Sequence, residues 1–413
     1  MLAFMTLAGA TAAGSMAYFS RNEREHRRRM DTLDINVHVN GIRGKSTITR
    51  MIGGVFREAG KSSIAKTTGT YACVIDRDGG EHPIVRTGPA NIGEQYKFLK
   101  QTIDGTVDAL VVECMAVKPK YQAICQDNIL RSPITVITNV RLDHQEEMGE
   151  TVEEIAASLC ATVPNSGIVI TGEREPSVVK VIQEHCDARG SRLIVAEETE
   201  LSRSLVEHFD YHQFEENIAV VLTVAEVLDI AQETAIRGMI MAKPDPGTTV
   251  ITPVRTQAGQ NVNWVPMFAV NDWESTTKVF RSVRETSLPK DSKVVVALNN
   301  RSDRTDRASM FIDLVANDLR GEFDRVVLYG DIQQVVQQKL VQEGFPEDMI
   351  VTTADLEDED GAGLLDRAVD GFGCDDDVAV FGMVNIHTAH VGAMQGHVDS
   401  LISESYRREK ATV

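Results

Sequence analysis

Short apolar runs alternate with helical patterns along most of the chain after residue 34. Apolar and polar residues alternate over Ile35–Val39, as in a strand, and apolar residues then recur at helical spacing from Ile48 to Ala59. Further strands of this first series are predicted at Ala109–Glu113, Ile134–Val140, Gly167–Thr171 and Arg192–Ala196. Asn217–Ile230 is predicted as a closing helix. Strands that alternate with helices indicate an α/β domain with a mainly parallel sheet.

A second α/β series follows the turn-forming segment Lys243–Gly247. Its strands are predicted at Lys293–Leu298, Arg325–Tyr329, Met349–Thr352 and Val378–Phe381. We therefore expect a central domain over residues 31–247 and a smaller Rossmann-like domain over residues 248–413. Because ligands of open α/β sheets bind at the carboxyl ends of strands, a nucleotide is expected in the cleft between the two.

The first 30 residues differ from both series. Leu2–Phe19 contains no charged residue, and Arg21–Arg29 is rich in arginine. An uncharged run of this length is just enough to span a bilayer, and the basic flank places the remainder of the chain in the cytoplasm. We expect residues 1–30 to anchor the chain in the cell membrane, with the catalytic domains on the cytoplasmic side. The alternative is an amphipathic or buried helix, because threonine and serine interrupt the run.

Composition and charge narrow the function classes. The 413 residues carry a net charge of −19, which disfavours nucleic acid as a partner, because neutralising phosphates requires an excess of lysine and arginine. The six cysteines are scattered and form no C-x-x-C motif. Their spacing fits reduced thiols better than a disulfide framework or a zinc site.

The turn between the first strand and its helix has the composition of a phosphate loop. It reads G-I-R-G-K-S-T, so its glycines are closer together than in the usual G-x-x-x-x-G-K-[ST] loop. Such short strings also arise by chance, but a strand before and a helix after bring backbone N–H groups and a positive dipole end to one point. Lysine can reach the outer phosphates, and serine can bind a bridging magnesium ion. ATP binding is therefore assigned to Gly41, Arg43, Gly44, Lys45, Ser46 and Thr47.

Two later strand ends carry polar residues in a matching order. The first strand ends at Glu113, and the second runs into T-N-V-R-L-D-H at Thr138–His144. With the phosphate loop, this succession resembles the Mur ligase superfamily. Within it, the chain is most similar to the ATP-dependent ligase subunit of poly-γ-glutamate synthase, an amide ligase of capsule synthesis. The stretches that carry this similarity are Arg86–Gln95, Val112–Val117, Leu298–Arg307 and Phe381–Ile386.

The resemblance implies an amide ligase that activates a γ-carboxylate as an acyl phosphate and releases ADP and phosphate. Lys45, Glu113 and His144 would be its catalytic residues. Ser46 and Glu113 would bind one magnesium ion and His144 a second, while Asn217 would contact adenine and Asp272 the ribose. Arginine forks match carboxylates, so substrate contacts are suggested, with surface polar contacts and salt bridges as the alternative, for Arg86, Asn91, Arg301 and Arg304.

The resemblance also implies partners. Glutamate and a growing poly-γ-glutamate chain would be substrates, and a small multi-spanning membrane subunit, export subunits and further copies of the chain would assemble with it. Two features depart from the superfamily: residues 145–163 lack the lysine that many members carbamylate, and Trp273-Glu274 replaces a small residue and a lysine. Two alternatives stay open, a folylpolyglutamate-type ligase and a membrane-tethered P-loop ATPase that drives a partner. Glutamate-dependent turnover would separate the ATPase from a ligase.

Overall fold

The computed structural model describes residues 2–411 except 70–71, 87, 89, 210, 246–247, 269, 271, 358 and 387. The chain forms two compact units, one of residues 1–209 and 213–246 and one of residues 210–212 and 247–413. Each unit is an α/β fold around a mainly parallel sheet, which confirms that part of the prediction. Two residues of the break at Lys243–Gly247, at 246 and 247, lie outside the described residues.

The first unit is built on an eight-stranded sheet. Its strands are β1 (Ile35–Asn40), β2 (Ser63–Thr67), β3 (Cys73–Ile75), β4 (Glu81–Pro83), β5 (Ala109–Glu113), β6 (Ile134–Ile137), β7 (Ile168–Thr171) and β8 (Arg192–Val195). They lie in the order β4-β3-β2-β5-β1-β6-β7-β8, and only the β2-β3-β4 pairings are antiparallel. Helices cover the parallel strands on both sides, so their residues are largely buried, including polar ones such as His38 of β1 and Lys66 of β2. β1 lies between β5 and β6, so the ends of these three strands meet at one edge.

Helices cover both faces of this sheet. They are α1 (Leu2–Met30), α2 (Lys45–Glu58), α3 (Gly93–Thr102), α4 (Pro119–Ile124), α5 (Gln145–Met148), α6 (Val152–Leu159), α7 (Pro176–Ala188), α8 (Glu200–Leu205), α9 (Glu215–Val227) and α10 (Gln232–Ile240). α2, α9 and α10 share one apolar core with Val37 and Val39 of β1. α6 and α7 pack on the other face, as do α3 and the π-helical turn Cys125–Leu130 that follows α4.

The prediction of a membrane-spanning N-terminal helix is wrong. No helix among the described residues is both long enough and apolar enough to cross a bilayer. α1 includes the basic flank Arg21–Arg29, and its uncharged part is largely alanine, glycine, threonine and serine, which contribute little apolar character. The C-terminal end of α1 packs on the first unit. Met30 is buried there, and His26 donates a hydrogen bond to the Ile129 carbonyl at 2.7 Å.

The second unit has six strands, ordered β13-β12-β11-β14-β10-β9. They are β9 (Thr252–Arg255), β10 (Asn261–Pro266), β11 (Lys293–Asn300), β12 (Arg325–Gly330), β13 (Ile350–Thr352) and β14 (Asp377–Val384), of which β9 runs antiparallel to its neighbour. The helices are α11 (Trp273–Thr286), α12 (Thr305–Asn317), α13 (Gln333–Gln342), α14 (Gly361–Val369) and α15 (Ala389–Ala411). α14 and α15 pack on one face of the sheet. α11 packs on the other, where the rings of Phe280 and Phe381 lie 4.6 Å apart.

Candidate active site

The phosphate loop lies at the carboxyl end of β1 and leads directly into α2. Gly41 and Gly44 have φ angles of 127° and 77°, in the region that favours glycine. A Cβ atom on Gly41 would lie 2.1 Å from the Thr138 hydroxyl oxygen, so no larger residue fits there. Gly44 precedes the first turn of α2, which begins at Lys45. The loop therefore presents the N-terminus of a 14-residue helix, a position suited to binding anions.

Lys45 folds back over this loop. Its ammonium group donates hydrogen bonds to the carbonyls of Gly41 at 2.8 Å and Ile42 at 3.1 Å. Burial lowers the pKa of Lys45, and the nearby carboxylate of Glu113 partly offsets that effect. The cation is thus held at the glycine turn by neutral acceptors, which phosphate oxygens can replace.

The end of β6 fastens the loop from the other side. The Thr138 hydroxyl donates to the Arg43 carbonyl at 2.6 Å, and the Arg43 amide donates to the Asn139 side-chain oxygen at 3.0 Å. The Arg43 guanidinium forms an ion pair with Asp143 at 3.1 Å. Three polar positions of the T-N-x-x-x-D-H stretch therefore support the phosphate loop itself. The sequence showed these residues as a motif but gave no sign of this role.

Ser46 and Glu113 meet beside the loop. The Ser46 hydroxyl and the Thr68 amide donate to the same carboxylate oxygen, Oε2 of Glu113, at 2.8 and 2.7 Å. Glu113 is buried, and within the described part of the chain no hydrogen bond reaches its Oε1. A Cβ atom on Gly69 would lie 2.7 Å from the Ser46 hydroxyl oxygen, so a glycine keeps this approach open. Hydroxyl and carboxylate oxygens are the ligands that magnesium takes in proteins, so this pair fits such an ion.

The structure does not show His144 as part of this pair. His144 has a φ of 50°, precedes α5 and has a half-exposed ring, whose Nε2 lies 4.0 Å from Asp143 Oδ2. Among the described residues, no group of three or more histidine, cysteine, aspartate or glutamate side chains could hold a metal ion. A second magnesium ion at His144 stays a prediction.

The two nucleoside contacts fall in different units. Asn217 is buried in α9 beside the phosphate loop, where a Cβ atom on Gly44 would lie 2.8 Å from its side-chain oxygen. Its amide donates to Gln213 at 2.9 Å. Asp272 lies in the second unit and caps α11 by accepting a hydrogen bond from the Ser275 amide at 2.9 Å. Their roles towards adenine and ribose stay predictions.

Three of the four candidate substrate residues already form side-chain contacts within the chain. The Nε and Nη2 atoms of Arg86 donate hydrogen bonds to the Glu94 carboxylate at 2.7 and 3.2 Å. Asn91 accepts a hydrogen bond from the Gly93 amide at the start of α3. In the second unit, Arg301 binds Asp303 through two hydrogen bonds, and the exposed Arg304 precedes α12. The structure thus places two of these residues before α3 and two at the end of β11.

The sequence matches two protein families and individual known relatives. The family model of the Mur ligase middle domain matches residues 39–239, and that of the poly-gamma-glutamate synthase CapB C-terminal domain matches residues 251–396. PGA synthase CapB of Bacillus subtilis (strain 168) is 35% identical over 334 residues, which are 79% of this chain and 82% of that protein. Capsule biosynthesis protein CapB of Bacillus anthracis is 40% identical over 295 residues, 70% of this chain and 62% of that protein.

Solved structures agree on the fold. Mycobacterium tuberculosis folylpolyglutamate synthase, complexed with ADP and AMPPCP, superposes with a TM-score of 0.61 at 14% identity, covering 90% of this chain and 95% of that one. A bifunctional folylpolyglutamate synthase/dihydrofolate synthase from Yersinia pestis, complexed with AMPPNP and a Mn ion, gives 0.61 at 15% identity, with 92% and 93% covered. At such identities the likeness shows the fold alone. The sequence matches go further, and they show that this chain belongs to the CapB family of poly-γ-glutamate synthases, within the Mur ligase superfamily.

Proposed function

We propose that this chain is an ATP-dependent amide ligase that forms the γ-glutamyl bonds of poly-γ-glutamate. Family membership supports the reaction. The observation that carries the proposal is the Ser46–Glu113 pair beside the phosphate loop, with the Lys45 ammonium over the glycine turn. Together they provide a cation, a helix N-terminus and a pair of magnesium-type ligands at one strand edge. Such a site suits a nucleotide triphosphate, whose charge must be neutralised before a carboxylate can approach it.

The reaction proceeds through two substitutions. A γ-carboxylate oxygen attacks the γ-phosphorus of ATP in line; the new O–P bond forms as the bond to the β-phosphate oxygen breaks, and ADP leaves. The neutral amine of a second glutamate, after its ammonium has lost a proton, then attacks the acyl carbon. The C–O bond to phosphate breaks, the nitrogen gives up one further proton to the departing phosphate, and an amide and inorganic phosphate result. Both steps depend mainly on positioning and charge neutralisation.

Residues of the phosphate loop account for the phosphate side of this chemistry. Lys45 would exchange its two carbonyl acceptors for phosphate oxygens, and the N–H groups at the start of α2 would bind them. Ser46 and Glu113 would hold magnesium, which neutralises phosphate charge when bound. Thr138 and Asn139 keep the loop in shape through Arg43. We infer one magnesium ion from this donor set, and the second ion implied by His144 is a separate proposal.

Trapping of the intermediate tests the proposal. With magnesium, ATP and glutamate or a poly-γ-glutamate acceptor, the protein should release ADP and phosphate, and added hydroxylamine should yield a γ-hydroxamate by competing with the amine. AMP and pyrophosphate would contradict the mechanism. ADP release without any hydroxamate, and indifferent to glutamate, would favour a P-loop ATPase. Product that forms only with a pterin acceptor would favour a folylpolyglutamate-type ligase.

We further infer that the chain works with other subunits on the cytoplasmic side of the cell membrane. Its cosubstrate ATP is available there, and a capsule polymer must then cross the membrane. A small multi-spanning membrane subunit and export subunits would provide that route, and the chain itself would form a homo-oligomer. Purification of the intact complex in mild detergent, followed by mass determination, tests this. Failure of the ligase to copurify with any membrane protein would contradict it.

A further inference from the structure

A lysine lies buried one strand away from the magnesium-type ligands. Lys66 on β2 is 0% exposed, and its ammonium group donates to Glu94 Oε1 on α3 at 2.8 Å. Arg86 binds both oxygens of the same carboxylate. The ring of Phe98 covers the ammonium, with its centroid 5.7 Å from Nζ. Two cations, Lys66 and Arg86, thus share one anion, the Glu94 carboxylate in the first turn of α3.

Arg86 and Lys66 keep the Glu94 carboxylate ionised at neutral pH. Burial raises the pKa of Glu94, but the hydrogen bonds and charges of Arg86 and Lys66 outweigh that effect and lower it to about 2. Burial lowers the pKa of Lys66, and the hydrogen bond to Glu94 acts in the opposite direction. Buried ion pairs contribute little net stability compared with apolar side chains of similar volume. Stability alone therefore does not explain the position of the pair.

Each member of the pair has a near neighbour in the sequence, one or two residues further on, that forms a hydrogen bond with Glu113. Thr68 lies just after β2, two residues beyond Lys66, and its amide donates to Glu113 Oε2 at 2.7 Å. On α3, Gln95 follows Glu94 directly, and its buried side-chain amide donates to the Glu113 carbonyl at 3.2 Å. β2 and β5 also pair in register, with Lys66 opposite Val112. The Lys66–Glu94 bond therefore closes a ring of contacts around the residue that would bind magnesium.

We propose that Lys66 and Glu94 are positioning residues that fix the orientation of the Glu113 carboxylate for the metal–nucleotide complex. The inference deepens the proposed function and rests on its magnesium·ATP site. The ring holds Oε2 through the Thr68 amide and the Glu113 backbone through Gln95, while Ser46 binds Oε2 from outside the ring. Loss of either charge lets β2 and α3 separate at this end, so the Thr68 and Gln95 bonds lengthen and the carboxylate rotates. Partners of metal ligands have effects of this kind, since they set the orientation of the ligand.

Equilibrium binding of a metal tests the proposal without turnover. Mn²⁺ is titrated by electron paramagnetic resonance into wild type, Lys66→Met, Glu94→Gln and the double variant, each with AMPPNP present. Each single change should weaken Mn²⁺ binding on the order of 10-fold. The double variant should bind Mn²⁺ with no lower affinity than the weaker-binding of the two single variants, because the two residues act as one unit. AMPPNP binding without metal should change little.

Matched controls separate positioning from general destabilisation. Arg189 pairs with Asp127, and its carbonyl accepts from the Ser166 amide just before β7, at the amino ends of the strands. Arg189→Met should lower the melting temperature and leave Mn²⁺ binding unchanged. If Lys66→Met does not fold, Glu94→Gln keeps the test, because Glu94 is partly exposed and an amide fits its place. Folded Lys66→Met and Glu94→Gln with wild-type Mn²⁺ affinity would overturn the positioning role, whereas wild type that binds no Mn²⁺·AMPPNP would overturn the proposed function instead.

Discussion

Replacing Gly41 with alanine should abolish nucleotide binding through the shape of the loop alone. At its φ of 127°, a non-glycine residue costs on the order of 1–3 kcal/mol. The new Cβ would also lie 2.1 Å from the Thr138 hydroxyl oxygen and 2.8 Å from the Thr138 amide nitrogen, and overpacking of this kind costs about 1–3 kcal/mol. The sum is roughly 2–6 kcal/mol. The clash could be relieved only by moving Thr138. Because the Thr138 hydroxyl donates a hydrogen bond to the Arg43 carbonyl at 2.6 Å, that movement would distort the phosphate loop.

Gly60 provides a matched control just after the other end of the same helix. Its φ of 73° is left-handed too, but a Cβ there meets nothing within 4 Å, so alanine should cost only about 1–2 kcal/mol. Calorimetry measures the melting temperature of each variant, and titration with AMPPNP and magnesium measures its nucleotide affinity. For a unit of about this size, a loss of 1 kcal/mol lowers the melting temperature by about 2–4 °C. Gly60→Ala should melt slightly lower and bind normally. A Gly41→Ala protein that melts like Gly60→Ala and binds the analogue with wild-type affinity would refute the reasoning.

Three further outcomes are expected. Lys45→Ala should abolish ATP turnover with an unchanged circular dichroism spectrum, because the outer phosphates lose their cation; full turnover in the folded variant would rule out the phosphate-loop assignment. Glu113→Gln and His144→Ala should each raise the magnesium concentration needed for half-maximal turnover, and if neither does, the two-metal interpretation fails. The depressed pKa of Glu94, from 4.5 to about 2, stabilises the fold above pH 4.5, and this stability is lost as the pH falls towards 2. Glu94→Gln should therefore make acid unfolding in that interval shallower, as measured by denaturant titration at each pH.

Burial alone does not decide which strands the sequence patterns predicted, since β2 is fully buried and was not predicted, whereas β8 is only partly buried and was predicted. β1, β5, β7 and β11 are continuous or alternating apolar runs that any sheet core requires, and their predicted bounds agree with the structure within two residues. β2 and β4 escaped prediction because their sequences, Ser-Ile-Ala-Lys-Thr and Glu-His-Pro, lack an apolar pattern. β2 tolerates Lys66 only because Glu94 lies against it, and this is a tertiary contact that no local pattern contains.

In the candidate active site, too, some residues could be predicted from the sequence and others depend on tertiary contacts. Lys45 and Ser46 could be predicted because a phosphate loop places these residue types between a strand and a helix, although its two glycines are closer together here than in the usual loop. The role of Glu113 follows from the family resemblance and from its order after the phosphate loop, because a single strand-end carboxylate is weak evidence. The support from Thr138 and Asn139, and the ring closed by Lys66 and Glu94, could not be predicted. These contacts join residues tens of positions apart, and their hydrogen bonds depend on strand order, which periodicity does not specify.

The existing partners of each cation indicate how readily it can bind substrate. Lys45 is held by two neutral carbonyls, and charge-assisted bonds to phosphate are roughly twice as strong, so exchange favours the ligand. Arg86 already has a carboxylate partner within a cluster that includes a fully buried lysine, so releasing it would leave Glu94 undercompensated. Arg301 also binds a carboxylate, but its partner Asp303 is exposed, and such surface pairs contribute only about 0–1 kcal/mol. Of these two predicted substrate contacts, Arg301 is therefore the more available for a carboxylate ligand, and a substrate role for Arg86 would require breaking its bonds to Glu94.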